Sequence, residues 1–387
     1  MSLLKNLRIK LQQNEQSRNL LQSAKILFAA KWREETGLRK LKPKVIQLPI
    51  TYNCNSKCVM CNIWNMDYSN EMNVEEFANF LTDPLFSEVE IVGINGGEPT
   101  LVKNLHEFAE VIVAKLPKLK SLNIISHGFN QKQLFKQLEL MYATCKTHNI
   151  HFHVSISLDG YGETHNTVRG LKVFKLTDGS IRTLQNEKNK YCDSLDVGCT
   201  VIRQNVDALS ELVVYAERQN IPIKYRLGIE NKRIESDILS DNFNLYHQKE
   251  KQSAKEFFHA CYFSARSFYE SFKYFAIYHQ LAAPKTERLL GCNWKEKGIT
   301  LDSRGDLYYC AVASDKIGSL RQDTGEAIFW NEQNLHYRQQ IIEHTCKDCI
   351  HDYYGTPQLK HIWYFLKEHF NEKLYWLPYF IKTRTFF

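Results

Sequence analysis

Three cysteines stand close together in the first part of the chain, at Cys54, Cys58 and Cys61, with the spacing C-x3-C-x2-C. Thiolates ligate both zinc and iron–sulfur clusters. A closed zinc site takes four ligands, so three thiolates in one loop fit zinc poorly. On a four-iron cubane, three thiolates leave one iron open, and that iron can chelate the amino and carboxylate groups of a methionine moiety. Reduction of such a cluster can cleave a sulfonium carbon–sulfur bond and yield a primary carbon radical.

Four more cysteines form a second set toward the other end of the sequence. They are Cys292, Cys310, Cys346 and Cys349, the last two in a C-x2-C arrangement. Four thiolates suit either a structural zinc ion or an auxiliary four-iron cluster. The remaining cysteines are scattered, and we interpret them first as small buried apolar residues: Cys145, Cys192, Cys199 and Cys261.

The composition is that of a globular protein without an export signal. The chain has 387 residues, of which 43% are hydrophobic and 24% are charged, and these values exclude wholesale disorder. The sequence contains no apolar run long enough to span a membrane and no secretory signal. We therefore expect a cytoplasmic protein whose clustered cysteines bind metal instead of forming disulfides. The net charge of +7 belongs to a basic arm, residues 1–44, and we expect no nucleic-acid partner.

From residue 45 onward, β-rich segments alternate with helix patterns. The six predicted strands are Val45–Tyr52, Val89–Asn95, Leu122–His127, Phe152–Leu158, Leu195–Arg203 and Ile221–Ile229. Two of the helix patterns begin with a capping-box spacing, at Asn73 with Glu76 and at Asn104 with Glu107. This alternation predicts parallel βα units, and six units make a partial barrel. The chemistry should then lie at the carboxyl ends of the strands, where the first cysteine set begins.

The rest of the chain changes character. Residues 164–190 predict a helix and a loop, and residues 235–285 are mostly helical. Gly298–Asp302 and Asp306–Cys310 predict a short hairpin, followed by a helix over about 328–344. We therefore predict an α/β protein, a partial (β/α)6 barrel with a small C-terminal α+β extension. Its expected regions are a basic helical arm (1–44), the barrel (45–234), a helical connector (235–290), the extension (291–350) and an aromatic-rich segment (351–387).

A second motif, Gly96-Gly97-Glu98-Pro99, ends the second predicted strand. Its two glycines let a ligand approach the backbone closely. Together with the cysteine loop after the first strand, this motif makes the chain resemble the radical S-adenosylmethionine (radical SAM) enzymes over roughly residues 45–230. The resemblance implies that the three cysteines hold a [4Fe–4S] cluster. It also implies that Gly96–Pro99 holds the amino group of S-adenosylmethionine, whose reductive cleavage gives a 5′-deoxyadenosyl radical.

Other positions match the family less closely. The run Ser157-Leu-Asp159-Gly with His165 and Arg169 resembles a segment of family members that carry an additional cluster domain. The resemblance implies that Ser157 and Arg169 help to hold S-adenosylmethionine. Strand 3 ends in Ser126-His127-Gly128, which departs from the family pattern and leaves the role of His127 open.

The second cysteine set resembles the twitch domain, a shortened form of the SPASM domain that follows some radical SAM cores. The resemblance implies one auxiliary [4Fe–4S] cluster with four ligands, Cys292, Cys310, Cys346 and Cys349. A fully ligated cluster has no iron open to substrate, so we expect it to conduct electrons. A flavodoxin or ferredoxin is the expected reductant.

Three functions are consistent with these residues. The first is oxidation (dehydrogenation) or epimerisation of a carbohydrate-like or other small polar substrate, with Arg226 and Glu230 as candidate substrate contacts. Epimerisation needs a thiol that returns a hydrogen atom to the substrate radical, and among the scattered cysteines only Cys261 is free to reach over the site. This scarcity of donors favours oxidation over epimerisation. The second is a maturase that modifies a peptide or protein, of the ribosomal-peptide or sulfatase-maturase type. The third, from another class, is a non-catalytic zinc-binding α/β protein.

The two ends of the chain suggest a docking surface. Residues 3–40 show an apolar stripe at helical spacing among Lys and Arg, and residues 351–387 hold twelve aromatics among basic residues. Packing against the protein's own core is the simpler interpretation for both. The alternative is peripheral contact with an anionic membrane, at the inner face, or with a lipid-linked substrate.

Overall fold

The computed structural model describes residues 41–245, 248–283, 287–351 and 355–370. Residues 1–40 of the predicted basic arm and residues 371–387 of the aromatic segment lie outside these ranges. The chain divides into two compact units, which we name the sheet unit (Lys40–Ala254 and Trp294–His351) and the helical unit (Met1–Arg39, Lys255–Asn293 and Asp352–Phe387). The five predicted region boundaries stay predictions.

The sheet unit is built on nine strands. They are β1 (Val45–Pro49), β2 (Ile91–Asn95), β3 (Ser121–Ser126), β4 (His151–Ser157), β5 (Ser194–Val201), β6 (Ile223–Leu227), β7 (Gly298–Leu301), β8 (Asp306–Tyr308) and β9 (Gly318–Ser319). Their order across the sheet is β6-β5-β4-β3-β2-β1-β7-β8-β9. The first six strands run parallel in sequence order, as the βα alternation predicts. The predicted α/β class with its parallel sheet is confirmed, and the barrel is not closed.

The C-terminal hairpin extends this same sheet. β7 pairs parallel to β1, with Val45 opposite Gly298, while β7 and β8 pair antiparallel as predicted. β9, which sequence periodicity did not reveal, pairs antiparallel to β8 over two residues. Because β1 therefore has partners on both sides, the loop after β1 is backed both by β2 and by the hairpin.

A helix covers residues 359–370, and thirteen further α-helices are labelled here. They are α1 (Val74–Phe80), α2 (Leu105–Lys115), α3 (Gln131–Thr147), α4 (Glu163–Arg169), α5 (Phe174–Asn186), α6 (Lys188–Tyr191), α7 (Leu209–Gln219), α8 (Ser240–Phe243), α9 (Gln248–Ser264), α10 (Phe268–Ala282), α11 (Asn293–Glu296), α12 (Gly325–Trp330) and α13 (Glu332–Gln340). The helix over residues 359–370 belongs to the helical unit. No helix within the described ranges is long and apolar enough to cross a membrane.

Burial alternates along the parallel strands because successive side chains point to opposite faces. β3 shows the pattern most simply, with Leu122 and Ile124 fully buried between partly exposed neighbours. The helices that connect the strands bury one apolar stripe each, as Leu105, Phe108 and Ile112 do in α2. These stripes fix the strands, and the strand ends fix the loops that bear the candidate site.

Candidate radical-generating site

The first cysteine set lies in the loop after β1. Cys58 is buried, and Cys54 and Cys61 are half-buried. Burial raises the pKa of Cys54 to about 12, with smaller contributions from the nearby Cys58 and Cys61. Burial and the charge of Cys58 likewise raise the pKa of Cys61 to about 11. The thiols are therefore close enough to influence one another, and a metal that binds them must displace their protons.

The donor set suits a cluster better than a single ion. Across the described ranges, no three Cys, His, Asp or Glu side chains converge closely enough to ligate one metal ion. In a cubane each thiolate binds a different iron atom, so its ligands stand farther apart than ligands around one zinc ion. Three interacting thiols in one loop therefore fit a four-iron cluster with one iron open.

Gly96 and Gly97 hold the end of β2 against the segment that leads into Cys54. Gly96 has a φ of 128°, in the region that favours glycine. The Gly97 amide donates to the Thr51 carbonyl at 2.7 Å, and the Glu98 amide donates to the Asn53 carbonyl at 2.9 Å. A Cβ on Gly97 would lie 2.1 Å from the Asn53 carbonyl oxygen. These glycines are needed for the approach of two loops, whatever ligand they also contact.

Glu98 lies at the centre of a buried hydrogen-bond network. Its Oε1 accepts from the Thr100 amide at 3.1 Å, the Thr100 hydroxyl at 2.7 Å and the Ser126 hydroxyl at 2.7 Å. Its Oε2 accepts from the His127 amide at 2.9 Å. The carboxylate thus joins the end of β2 to the end of β3. Pro99 begins the short 3-10 turn that follows.

His127 connects β3 to the cysteine loop. Its ring stacks on Phe129 with centroids 3.3 Å apart, and its Nδ1 accepts from the Phe129 amide at 3.2 Å. Burial lowers its pKa to about 4, so the neutral ring carries its proton on Nε2. That nitrogen is 2.8 Å from Oδ1 of Asn55, the residue after Cys54. The open role of His127 therefore includes support of the loop.

Arg169 reaches the same loop from the end of α4. Its Nη1 donates to the Cys58 sulfur at 3.6 Å, and its Nη2 lies 2.5 Å from Oδ2 of Asp159. The backbone of α4 also meets the loop, since the Val59 amide donates to the Val168 carbonyl at 3.0 Å. Gly170 ends the helix with a φ of 69°, and a Cβ there would lie 2.6 Å from the Lys57 carbonyl oxygen.

The other predicted residues are spread more widely. Ser157 ends β4 opposite Gly198 of β5, and Arg226 of β6 lies over Gly198, whose Cβ would be 2.7 Å from an Arg226 guanidinium nitrogen. Glu230 accepts from the Ser240 hydroxyl and from Asn244, so it binds the segment after β6 to α8. Cys261 lies in α9 of the helical unit, and burial raises its pKa to about 12. The roles of all four residues stay predictions.

The second cysteine set is divided between the two units. Cys310 follows β8 by two residues, and Cys346 follows a single π-helical turn, Ile341–Thr345, which the Cys346 amide closes by donating to Ile341 at 2.9 Å. Cys349 lies just beyond, in the sheet unit, whereas Cys292 belongs to the helical unit. None of the eleven cysteines, all in the described ranges, is in a disulfide. The four-ligand set stays a prediction.

One buried network near the site is absent from the sequence analysis. The Tyr52 hydroxyl donates to Asp302 of the β7–β8 turn at 2.7 Å, and the Tyr308 hydroxyl donates to the same carboxylate oxygen at 3.2 Å. Tyr52 forms a buried cluster with Ile63 and Ile234, and Cys54 and Cys61 pack against this cluster. The hairpin therefore supports the cysteine loop directly. No local pattern indicates this contact, because Tyr52 and Asp302 are 250 residues apart.

Comparison with known proteins adds independent findings. No family model matches the chain. Fe-coproporphyrin III synthase from Methanosarcina barkeri is 26% identical over 230 residues, which cover 54% of this chain and 54% of that protein. Sporulation killing factor maturation protein SkfB from Bacillus subtilis is 26% identical over 170 residues, 43% of this chain and 38% of that protein. The matched segment thus spans about half, or less, of these curated relatives.

Solved structures show the same fold. The anSMEcpe structure with bound AdoMet and Cp18Cys peptide matches with a TM-score of 0.56 and 16% identity, and covers 88% of this chain and 99% of that chain. Streptococcus suis SuiB bound to precursor peptide SuiA matches with a TM-score of 0.53 and 14% identity, and covers 84% and 72% of the respective chains. The chain is therefore similar in sequence to these curated proteins over about half of its length, and it shares its fold with these two solved structures.

Proposed function

We propose that this protein is a radical SAM enzyme that holds its catalytic cluster through Cys54, Cys58 and Cys61. With S-adenosylmethionine bound, this cluster supplies a 5′-deoxyadenosyl radical that removes a hydrogen atom from a substrate C–H bond. The single observation that supports this assignment most strongly is the convergence of three strand ends on the cysteine loop. Gly97 from β2, His127 from β3 and Arg169 from the segment after β4 all contact it.

A buried hydrogen-bond network holds the back of this site in place. Glu98 is 1% exposed and joins the ends of β2 and β3, so the loop is backed by an inflexible polar network. Preorganised groups of this kind cost no reorganisation when a reaction occurs. We propose that Gly96, Gly97, Glu98 and Pro99 line the methionine end of S-adenosylmethionine and that Ser157 contacts the same cofactor.

For the substrate we propose a peptide or a protein side chain. Two structures with this fold contain peptides, Cp18Cys in anSMEcpe and SuiA in SuiB, and the relative SkfB is named as a maturation protein. Neither relative reported above has a name that points to carbohydrate oxidation or epimerisation, so that hypothesis stays a prediction without support from them. Membrane contact and the reductant, flavodoxin or ferredoxin, also stay predictions.

We further propose that Cys292, Cys310, Cys346 and Cys349 hold an auxiliary [4Fe–4S] cluster that conducts electrons. The π-helical turn directly before Cys346 supports this proposal, because such turns occur often at functional sites. The hairpin that presents Cys310 also supports the first cysteine loop through Tyr52. Four thiolates would leave no iron for substrate, which suits a cluster that only relays charge.

Anaerobic reconstitution with iron and sulfide tests both cluster assignments. The wild-type protein should bind about eight irons, in two four-iron clusters, and cleave S-adenosylmethionine to 5′-deoxyadenosine under reducing conditions. Cys58→Ala should lose about four irons and all cleavage, whereas Cys349→Ala should lose about four irons and retain cleavage. Cys145→Ala, a buried cysteine outside both sets, is the matched control. Full iron content and cleavage in Cys58→Ala would contradict the assignment.

The substrate class is tested separately by isotope transfer. The reconstituted enzyme is incubated with perdeuterated peptides from a protein digest or with perdeuterated monosaccharides, and deuterium in the 5′-deoxyadenosine is measured by mass spectrometry. Transfer from the peptides supports a maturase. Deuterium transfer from the monosaccharides alone would overturn the peptide proposal and support the carbohydrate hypothesis instead.

A further inference from the structure

Cys58 differs from the other two cysteines of the first set in its surroundings. It is 8% exposed and has two polar neighbours at its sulfur. Arg169 donates to the sulfur at 3.6 Å, and the Ser56 hydroxyl lies 3.1 Å from it. The same hydroxyl lies 3.1 Å from the Arg169 carbonyl oxygen, so Ser56 joins the sulfur to the backbone of α4.

Arg169 is fixed on its far side by Asp159. The carboxylate is fully buried, and its Oδ2 lies 2.5 Å from Arg169 Nη2. Its Oδ1 accepts from the Thr200 amide at 2.8 Å, which fixes the carboxylate to β5. The Asp159 carbonyl accepts from Asn205 at 2.8 Å. The guanidinium is thus held between a buried carboxylate and the cysteine sulfur.

The charge on this arginine is permanent. A guanidinium group is not deprotonated in proteins, and Arg169 is paired with the buried Asp159 carboxylate. Guanidinium is a planar donor that can serve two acceptors at once, so both contacts can persist together. A fixed cation therefore donates to one sulfur of the first cysteine set at every working pH.

We propose that Arg169, positioned by Asp159, raises the reduction potential of the cluster held by Cys54, Cys58 and Cys61. This inference rests on the proposed function, because it requires a redox-active cluster at these cysteines. Uptake of one electron adds one negative charge to the cluster and its thiolates. A cation that donates to a ligand sulfur stabilises the reduced form more than the oxidised form, and hydrogen bonds to sulfur are a known determinant of cluster potential.

This role differs measurably from the one that the family resemblance implies. A residue that only holds S-adenosylmethionine affects affinity for that cofactor and leaves the potential of the cofactor-free protein unchanged. A residue that donates to Cys58 changes the potential even without S-adenosylmethionine. The two roles can therefore be separated by measuring the protein before the cofactor is added.

The test uses four reconstituted full-length variants. Arg169→Gln removes the positive charge, and Arg169→Lys keeps the charge but lacks the planar guanidinium group. The double variant Asp159→Asn/Arg169→Gln leaves no buried carboxylate unpaired, so it covers the case in which the single variant fails to fold. Arg182→Gln is the matched control, because Arg182 is an exposed arginine that pairs with Asp178. Wild type and variants are measured in a Cys349→Ala background, so that the reduced signal comes from the cluster at Cys54, Cys58 and Cys61 alone. This signal is titrated by electron paramagnetic resonance against potential, without S-adenosylmethionine, in protein of known iron content.

Arg169→Gln should make reduction about tenfold less favourable, which is a fall of about 59 mV for a one-electron couple. The reduction potential of the double variant should fall similarly, and that of Arg169→Lys should fall less. The potential of Arg182→Gln should match that of wild type. Wild-type potentials in both Arg169→Gln and the double variant at full iron content would overturn the inference, even if S-adenosylmethionine binding weakened. A wild-type protein that assembles no reducible cluster would instead overturn the proposed function, and the inference with it.

Discussion

Glu98, His127, His165 and Arg169 are buried polar residues near the cysteine loop, and they avoid an unpaired charge in two ways. Four donors surround the Glu98 carboxylate, and Asp159 pairs with Arg169. Burial instead lowers the pKa of both histidines, so their rings stay neutral. An unpaired buried charge is strongly unfavourable, so protonation of a buried histidine and loss of a charge partner should both lower the stability of the fold.

The neutral His127 ring predicts a loss of stability in acid. Its folded-state pKa of about 4 lies below its ordinary value of 6.5. The unfolded chain therefore binds a proton here that the folded chain does not, and stability falls as the pH drops from 6.5 toward 4. The loss should be roughly 1.4 kcal/mol for each pH unit in this window.

Urea unfolding at about pH 7.5 and about pH 5 measures this effect. His127→Gln should lose less stability between the two conditions than wild type does. His148→Gln, at an exposed position on the end of α3, should behave like wild type. Equal losses in wild type and His127→Gln would show that this ring does not contribute to acid sensitivity.

At this scale, residue types and spacing indicate the proposed cluster ligands but not the residues that support them. The seven clustered cysteines and the Gly96–Pro99 motif stand out because their members are close in sequence. Arg169 and Cys58 are 111 residues apart, and Tyr52 and Asp302 are 250 apart. Such contacts form only when the whole sheet is assembled, so the local sequence does not indicate which residues meet.

The end of β2 can approach the loop after β1 closely because Gly97 has no side chain. Gly97→Ala would place a methyl group 2.1 Å from the Asn53 carbonyl oxygen and would force the cysteine loop away. We expect this variant to lose most of the iron bound by the first cysteine set after reconstitution. Iron and labile sulfide content is the measurement.

Gly93→Ala is the matched control for this prediction. Gly93 lies in the same strand, but its Cβ would have no neighbour closer than 3.9 Å. It should load iron as wild type does. Normal loading in Gly97→Ala would mean that the loop can shift without loss of its ligand geometry.

Helix signals in the sequence had mixed outcomes for physical reasons. The capping box at Asn73 and Glu76 is confirmed, since both reciprocal hydrogen bonds are present. At Asn104 the same spacing is misleading, because its amide donates to the Glu107 carboxylate and not to a helix end. The single helix predicted over 328–344 is two helices and a π turn, because Asn331 caps a new helix. Residues 164–190 contain the predicted helix and loop together with further helix, because α4, α5 and α6 are separated by residues 170–173 and by Glu187.

At the scale of the whole molecule, the helical unit has its own aromatic core. Phe365 is 1% exposed and contacts the rings of Phe268, Phe272 and Phe275 at centroid distances of 5.4, 5.1 and 5.1 Å. This contact supports the simpler interpretation of the aromatic segment up to residue 370, that it packs on α10. Residues 371–387 and residues 1–40 of the basic arm, on which the membrane alternative also depends, lie outside the described residues.

Phe365→Ala should destabilise the helical unit by about 3–5 kcal/mol, because it leaves a cavity in a packed aromatic cluster. Trp363→Ala, on the same helix but 68% exposed, should change stability by less than about 0.5 kcal/mol. Hydrogen exchange by mass spectrometry should show faster exchange in α9 and α10 for Phe365→Ala. Protection there equal to wild type would contradict the assigned core.

The central position of β1 also has a consequence for the order of events in synthesis. One partner, β2, follows β1 closely, but the other, β7, emerges only near residue 298. Closing so long a loop is slow, and until then one edge of β1 stays open to wrong partners. The Tyr52–Asp302 bond that backs the cysteine loop cannot form earlier either. We therefore expect the radical-generating cluster to be inserted late, into a chain whose C-terminal hairpin has already been made.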